Sequence, residues 1–121
     1  MAQRNTRIKA STVGDVIVVE LVDKKILDEV SIAEIGQQID GLVAQRAKPR
    51  IVLDFVNVAH MSSSMLGKLI TVHKHVRERE GQLRLCNVQP AIQEVFVITR
   101  LSEIFNVAQT RDQAVAEVQS A

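Results

Sequence analysis

The sequence predicts an α/β domain with a mixed β-sheet, an antiparallel edge strand and parallel strand–helix–strand units, flanked by about four helices. Three observations lead there. Val16-Ile17-Val18-Val19 and Ile51-Val52-Leu53-Asp54-Phe55 are continuous, largely β-branched runs that suit strands buried on both faces. Apolar residues between and after them recur at helical spacing. The two patterns alternate as β-β-α-β-α-β-α, then a short strand-like piece near residues 105–107, then a final helix. Alternation of this kind implies parallel neighbours joined by right-handed crossovers.

Each element follows from local signals. Residues 7–12 alternate apolar Ile8 and Ala10 with polar Lys9 and Ser11, a half-exposed edge strand. Gly14-Asp15 then signals a hairpin into the buried run from Val16. Residues 23–30 read as a polar-leaning loop. Ser31 is an N-cap type with Glu34 three residues on, a capping box opening a helix that buries Ile32, Ile35, Ile39, Leu42 and Val43. Pro49 ends that element before the strand from Ile51. Residues 62–80 read as a helix with Leu66, Leu69, Ile70, His73 and Val76 inward and Gly81 as its C-cap. Leu83 and Leu85 open a third central strand running to Asn87. Pro90 suits the first turn of a helix carrying Ile92, Val95 and Phe96. Thr110, paired with Gln113, caps a last helix with Ala114, Val115 and Val118 inward.

At 121 residues the chain reads as one domain, 1–121, with an ordered core about 7–118 and ends that fray at 1–6 and 119–121. Hydrophobic residues are 46% and charged residues 24%, enough to build a core without a disulfide or metal staple. Aromatic residues are only 2%, so there is no platform on which single-stranded bases would stack. Lys plus Arg against Asp plus Glu is 15 against 14, without the basic excess of a phosphate-neutralising surface. Direct nucleic-acid binding is disfavoured on both counts. The N-terminal segment lacks a signal-peptide core and no stretch approaches the ~20 apolar residues of a membrane span, so the expected location is cytoplasmic, without membrane insertion.

The inventory for catalysis is thin. No phosphate-cradling glycine loop is present, no cofactor is called for, and the single Cys86 excludes an intramolecular disulfide and a cysteine-based zinc site. His73 and His75 are two apart on a helix and point to different faces, so no metal is expected. The one cluster that stands out is Ser62-Ser63-Ser64 between a buried strand and a helix. Two readings apply to it. One serine caps the helix while the others fill its solvated first turn, or one is a phosphoacceptor, since a helix N-terminus tolerates added negative charge. On the helical wheel Ser64 and Lys68 fall opposite the inner face. Met65 and Val72 lie at its border, where they either rim the core or form an apolar strip for a partner.

These residues bring a family into view. Val52-Leu53-Asp54-Phe55, Val58 and Met61-Ser62-Ser63-Ser64-Met65-Leu66-Gly67 together resemble the signature of STAS domains in bacterial anti-sigma factor antagonists. Ile26-Leu27-Asp28 followed by Ser31, and Val95 to Leu101 ending in Ile104-Phe105-Asn106-Val107, fit the same frame. The resemblance implies a STAS-like fold and a non-enzymatic regulatory module. Unphosphorylated, such a module binds an anti-sigma factor with serine kinase activity and so controls sigma-factor-dependent transcription in the stress response. Phosphorylated, it is released, and a serine phosphatase resets it. Ser63 falls on the phosphoacceptor position, with Ser64 and Ser62 as alternative registers. The implied partner-binding residues are Asp28, Met61, Ser62, Ser63, Ser64, Met65 and Lys68. Three positions depart from the pattern: Ser62 stands where the motif has Asp, Met65 where it has Gly, and Arg100 where Gly is usual. The resemblance also leaves open a structural role in a stressosome-like or other multiprotein assembly, and a nucleotide-responsive STAS module.

Overall fold

Gly14, at φ +60°, turns the chain between β1 (Ile8–Val13) and β2 (Val16–Leu21), a conformation that costs glycine little because it has no Cβ. The two strands pair antiparallel, from Ile8 opposite Leu21 to Val13 opposite Val16. The computed structural model describes residues 7–120. It continues with β3 (Lys25–Ile26), α1 (Glu29–Ala44), β4 (Arg50–Asp54), β5 (His60–Met61), α2 (Ser63–Glu78) and β6 (Gln82–Cys86). After these come α3 (Pro90–Ile98), a single 3-10 turn at Leu101–Glu103, β7 (Val107–Ala108) and α4 (Arg111–Ser120). Five strands form one sheet in the order β1-β2-β4-β6-β7, antiparallel at β1–β2 and parallel elsewhere. This is the mixed sheet the sequence predicts. β3 and β5, in segments expected to be loops, pair parallel as a separate two-stranded sheet.

Alternation along the buried strands divides the core in two. Ile17, Val19, Leu21, Ile51, Leu53, Leu83 and Leu85 join the larger cluster with the inner faces of α1 and α2. Val16, Val18, Val52 and Cys86 join the smaller one with Ala114, Val115 and Val118 of α4. Both faces of β2 and β4 are thereby covered, as their unbroken apolar runs require. At the edge, β1 buries only Ile8; Ala10, expected inward, is exposed.

Several local expectations are corrected. The N-cap of α1 is Asp28, whose carboxylate accepts the Ser31 backbone N–H at 3.0 Å. Ser31 is already inside the first turn and buried, so its side chain is not the cap. The helix ends at Ala44, five residues before Pro49. On α2 the buried stripe is Met65, Leu66, Leu69, Val72 and Val76. Ile70 is 40% exposed, and His73 is half-buried with its ring edge against Phe105. The inward direction lies roughly 50° from the one the sequence suggests, at ~100° per residue, because α2 must face α1 and the sheet together. At its C-terminus Glu80, not Gly81, takes the left-handed conformation at φ 58°. Gly81 is needed for a different reason: a Cβ there would collide with the Pro49 carbonyl oxygen.

Pro90 opens α3 as expected, and Ile92 and Phe96 are buried, but Val95 is 39% exposed. Thr110 caps α4, its Oγ1 accepting the Gln113 N–H at 3.1 Å, while Gln113 Oε1 accepts the Gln109 N–H at 3.1 Å. Gln119 and Ser120, expected to fray, belong to α4, and Arg50 donates to the carbonyls of Val118 and Gln119. The expected loose ends at 1–6 and 121 lie outside the described residues.

Candidate functional site

The serine cluster is placed by the small β3–β5 sheet. Ala59 and His60 donate their backbone N–H groups to the Lys24 carbonyl at 2.8 and 3.1 Å, and the Ser62 N–H donates to the Ile26 carbonyl at 3.0 Å. The segment before α2 is thus stitched to the segment before α1, and the two helices start side by side. They also run parallel: Ser64 meets Glu29 and, three turns on, His75 meets Asp40. Two positive helix ends therefore sit together near the C-terminal ends of the parallel strands, where open α/β sheets commonly bind their ligands.

The two helix ends are finished differently. α1 has the Asp28 cap and Glu29 in its first turn. The Ser31 amide, its first cause, holds the Asp28 carboxyl below the usual carboxylate range. α2 has Ser62 at the N-cap position, but that side chain makes no capping bond and the first turn carries no acid. The reading in which one serine of the cluster caps the helix through its side chain is therefore corrected: the serine at the N-cap position is Ser62, and its Oγ is buried without a hydrogen-bond partner. Ser63 is exposed and its hydroxyl has no partner among the described residues. Ser64 is exposed and its hydroxyl donates to Glu29 Oε2 at 2.9 Å. The amides opening α2 thus lack the carboxylate that α1 has, the complement a phosphate on the first turn supplies.

The remaining expected residues divide. Asp28 is exposed at the head of α1, in the same stitched region as Ser63 but committed to capping. Met61 is half-buried and packs against the core. Met65 is withdrawn from the partner surface: it is fully buried in the core, because its position points between α1 and the sheet. Lys68 is half-buried, its stem lying across Gly36 of α1, so it does not stand free beside Ser64 as the helical wheel suggests. Val72, the other border residue, is core as well.

Sequence reasoning missed two features. An open groove of about 380 Å³ lies between the β3–β5 sheet and α3, with Leu27, Met61, Ile92 and Val95 among its lining and Lys25 and His60 at its polar parts. Leu27 is 53% exposed; an apolar residue in a segment read as loop was the available signal. The second feature is the buried carboxylate of Asp54 at the end of β4. It accepts from Arg111 Nε at 2.8 Å, the Asn87 side chain at 3.0 Å and the Val56 backbone N–H at 3.0 Å. Arg111 also reaches Glu20 at 3.0 Å, and Asn57 donates to Glu20 and to the Leu21 carbonyl. One carboxylate thereby anchors the start of the loop leading to the serines, the end of β6 and the head of α4. The same carboxylate adds to the effect of burial on the neighbouring Cys86 thiol, which is pushed up to about 12.

Among the described residues, no group of three or more His, Cys, Asp and Glu side chains is arranged to hold a metal. No described helix is long and apolar enough to cross a membrane.

A mixed sheet covered on both faces, with two parallel helices starting side by side and a solvent-facing serine at one of those starts, defines the class of domain. The STAS domain family model matches residues 7–114, and the chain belongs to that family. A Bordetella bronchiseptica protein, provisionally named anti-sigma factor antagonist BtrV, is 35% identical over 89 residues, 74% of this chain and 72% of that protein. Among solved structures, an anti-sigma-factor antagonist (STAS) domain protein from Planctomyces limnophilus superposes with a TM-score of 0.85 at 21% identity, covering 93% of this chain and 97% of that one. The Bacillus cell fate determinant SpoIIAA, solved in its phosphorylated form, superposes with a TM-score of 0.69 at 19% identity, covering 92% and 98%.

Proposed function

We propose that this chain is an anti-sigma factor antagonist: it binds an anti-sigma factor with serine kinase activity through the surface around the starts of α1 and α2. Phosphorylation of Ser63 releases that partner, and a serine phosphatase resets the switch. The observation that carries the reading is Ser63 itself, exposed on the first turn of a helix with neither a side-chain cap nor an acidic residue there. A phosphate at that place adds about −1.5 to −2 charges to the binding surface. It leaves the fold intact, because the free amides and the helix dipole accept it. Asp28, Ser64 and the half-buried Met61, Ser62 and Lys68 border the same surface. Met65, in the core, supports the helix from beneath.

The test is titration of the purified protein against the anti-sigma factor of its own host, by calorimetry. Ser63→Glu is expected to weaken binding at least tenfold, while Ser63→Ala binds as the parent does and accepts no phosphate from that factor with ATP. Equal binding by both variants, or undiminished phosphate uptake by Ser63→Ala, overturns the assignment.

A further inference from the structure

The three adjacent serines meet three different environments, and the difference comes from another element. Ser62 Oγ is sealed from solvent and unpartnered. Ser63 is open. Ser64, also exposed, has its hydroxyl proton directed at the Glu29 carboxylate of α1, 2.9 Å away. We infer that Glu29 is the selectivity residue of the cluster, reserving phosphorylation for Ser63 and protecting Ser64. The inference rests on the phosphorylation reading above and adds to it a residue outside the serine motif.

The chemistry is the transfer of the γ-phosphoryl group of ATP. The bond between a serine Oγ and the γ-phosphorus forms as the bond from that phosphorus to the β,γ-bridging oxygen breaks. The hydroxyl proton leaves to a base on the kinase, and ADP departs. At Ser64 this requires the Oγ to give up its bond to Glu29, and it leaves a phosphate dianion against a carboxylate. At Ser63, one residue and ~100° around the helix, the product meets the amides of an uncapped helix start.

The other charged groups of the region are Lys68, Asp28, Lys25 and His60, with Arg7 acting on Asp28. Lys68, four residues beyond Ser64, is at the spacing that would pair with a phosphate, but its stem is laid across Gly36. Asp28 is a further negative charge, bound to the Ser31 amide. Lys25 and His60 line the groove between the β3–β5 sheet and α3. The family's Asp before the phosphoacceptor is Ser62 here, and the acid that touches the cluster comes from α1 and holds the serine after the acceptor.

The experiment needs no partner. The full chain is made with phosphoserine incorporated during translation at position 63 or at position 64, each with Glu29 and with Glu29→Gln. Phosphorus NMR gives the second pKa of each phosphate, and thermal unfolding at low salt gives Tm. The phosphate at 64 is expected to titrate about half a unit or more above the phosphate at 63, the size of one unit charge ~5 Å away in water. Glu29→Gln is expected to close that gap. The phosphate at 64 is also expected to lower Tm by a few degrees, while the phosphate at 63 leaves it unchanged or raises it. Equal pKa values at the two positions, or a gap that survives Glu29→Gln, overturns the role of Glu29. Release of the partner through Ser63 is judged separately, by the binding titration of the serine variants.

Discussion

Arg111→Ala is the perturbation that most directly tests how the serine loop is held. Asp54 is 1% exposed, yet carries a carboxylate at the end of a central strand. Its neighbour across β2–β4 is Glu20, so two acids lie side by side and Arg111 bridges them. Removing one partner of a buried ion pair typically costs about 3–5 kcal/mol, because the remaining charge is left without compensation. Here the Asn87 side chain and the Val56 amide still reach Asp54, and Arg111 is itself 39% exposed, so the cost falls to about 2–3 kcal/mol. For a domain this size that is a fall in Tm of about 8–12 °C. Glu20→Gln removes the second charge that Arg111 meets but keeps an amide oxygen to accept from Asn57 or Arg111, and should cost about 1 kcal/mol or less. Arg111→Lys should recover roughly half of the loss, keeping the charge without the two-pronged geometry. Urea unfolding followed by circular dichroism measures all three. The decisive variant is the double mutant Asp54→Asn with Arg111→Ala, which should lose clearly less than the sum of its single changes. Additive losses, or a cost below about 1 kcal/mol for Arg111→Ala alone, would refute the argument that Asp54 depends on this arginine.

Two further outcomes are expected. Arg100 holds φ 65° at the position where the family usually has glycine. A non-glycine residue there is strained by about 1–2 kcal/mol, against an entropic cost of roughly 0.5–1 for glycine, so Arg100→Gly should raise stability by about 0.5–1 kcal/mol in the same urea assay. A loss of stability would count against strain at that turn. The Cys86 thiol is raised to about 12 by burial first and by Asp54 second. Its contribution is complete below the unfolded thiol's ~8.5 and is lost as pH climbs toward the folded value, about 2 kcal/mol by pH 10. Unfolding free energies at pH 7, 8.5 and 10 should therefore fall more steeply for the parent than for Cys86→Ala; parallel curves would remove the thiol as the cause.

What the sequence determined by itself is the part of the molecule governed by local chemistry and by two short periods. Val16 to Val19 and Ile51 to Phe55 read as strands covered on both faces because nothing polar interrupts them before Asp54, and the sheet confirms it from both sides. Pro90 and Thr110 marked helix starts because a missing N–H and a capping hydroxyl act within one turn. The serine cluster was legible as a helix start and, through short motifs in order, as part of a STAS frame.

The tertiary structure decided everything that depends on which neighbour arrives. Met65 and Ile70 are both apolar residues of α2, and only the joint position of α1 and the sheet makes one core and leaves the other 40% exposed. Asp28 rather than Ser31 caps α1, because a carboxylate one turn earlier already satisfies the amide. Gly81 looked like a conformational glycine but is a steric one, a distinction set by Pro49 from a distant turn. The three serines are chemically alike in the sequence. They become a sealed hydroxyl, a free one and one held by Glu29 only when two parallel helices, stitched at their starts by β3 and β5, bring residues 35 positions apart within 2.9 Å.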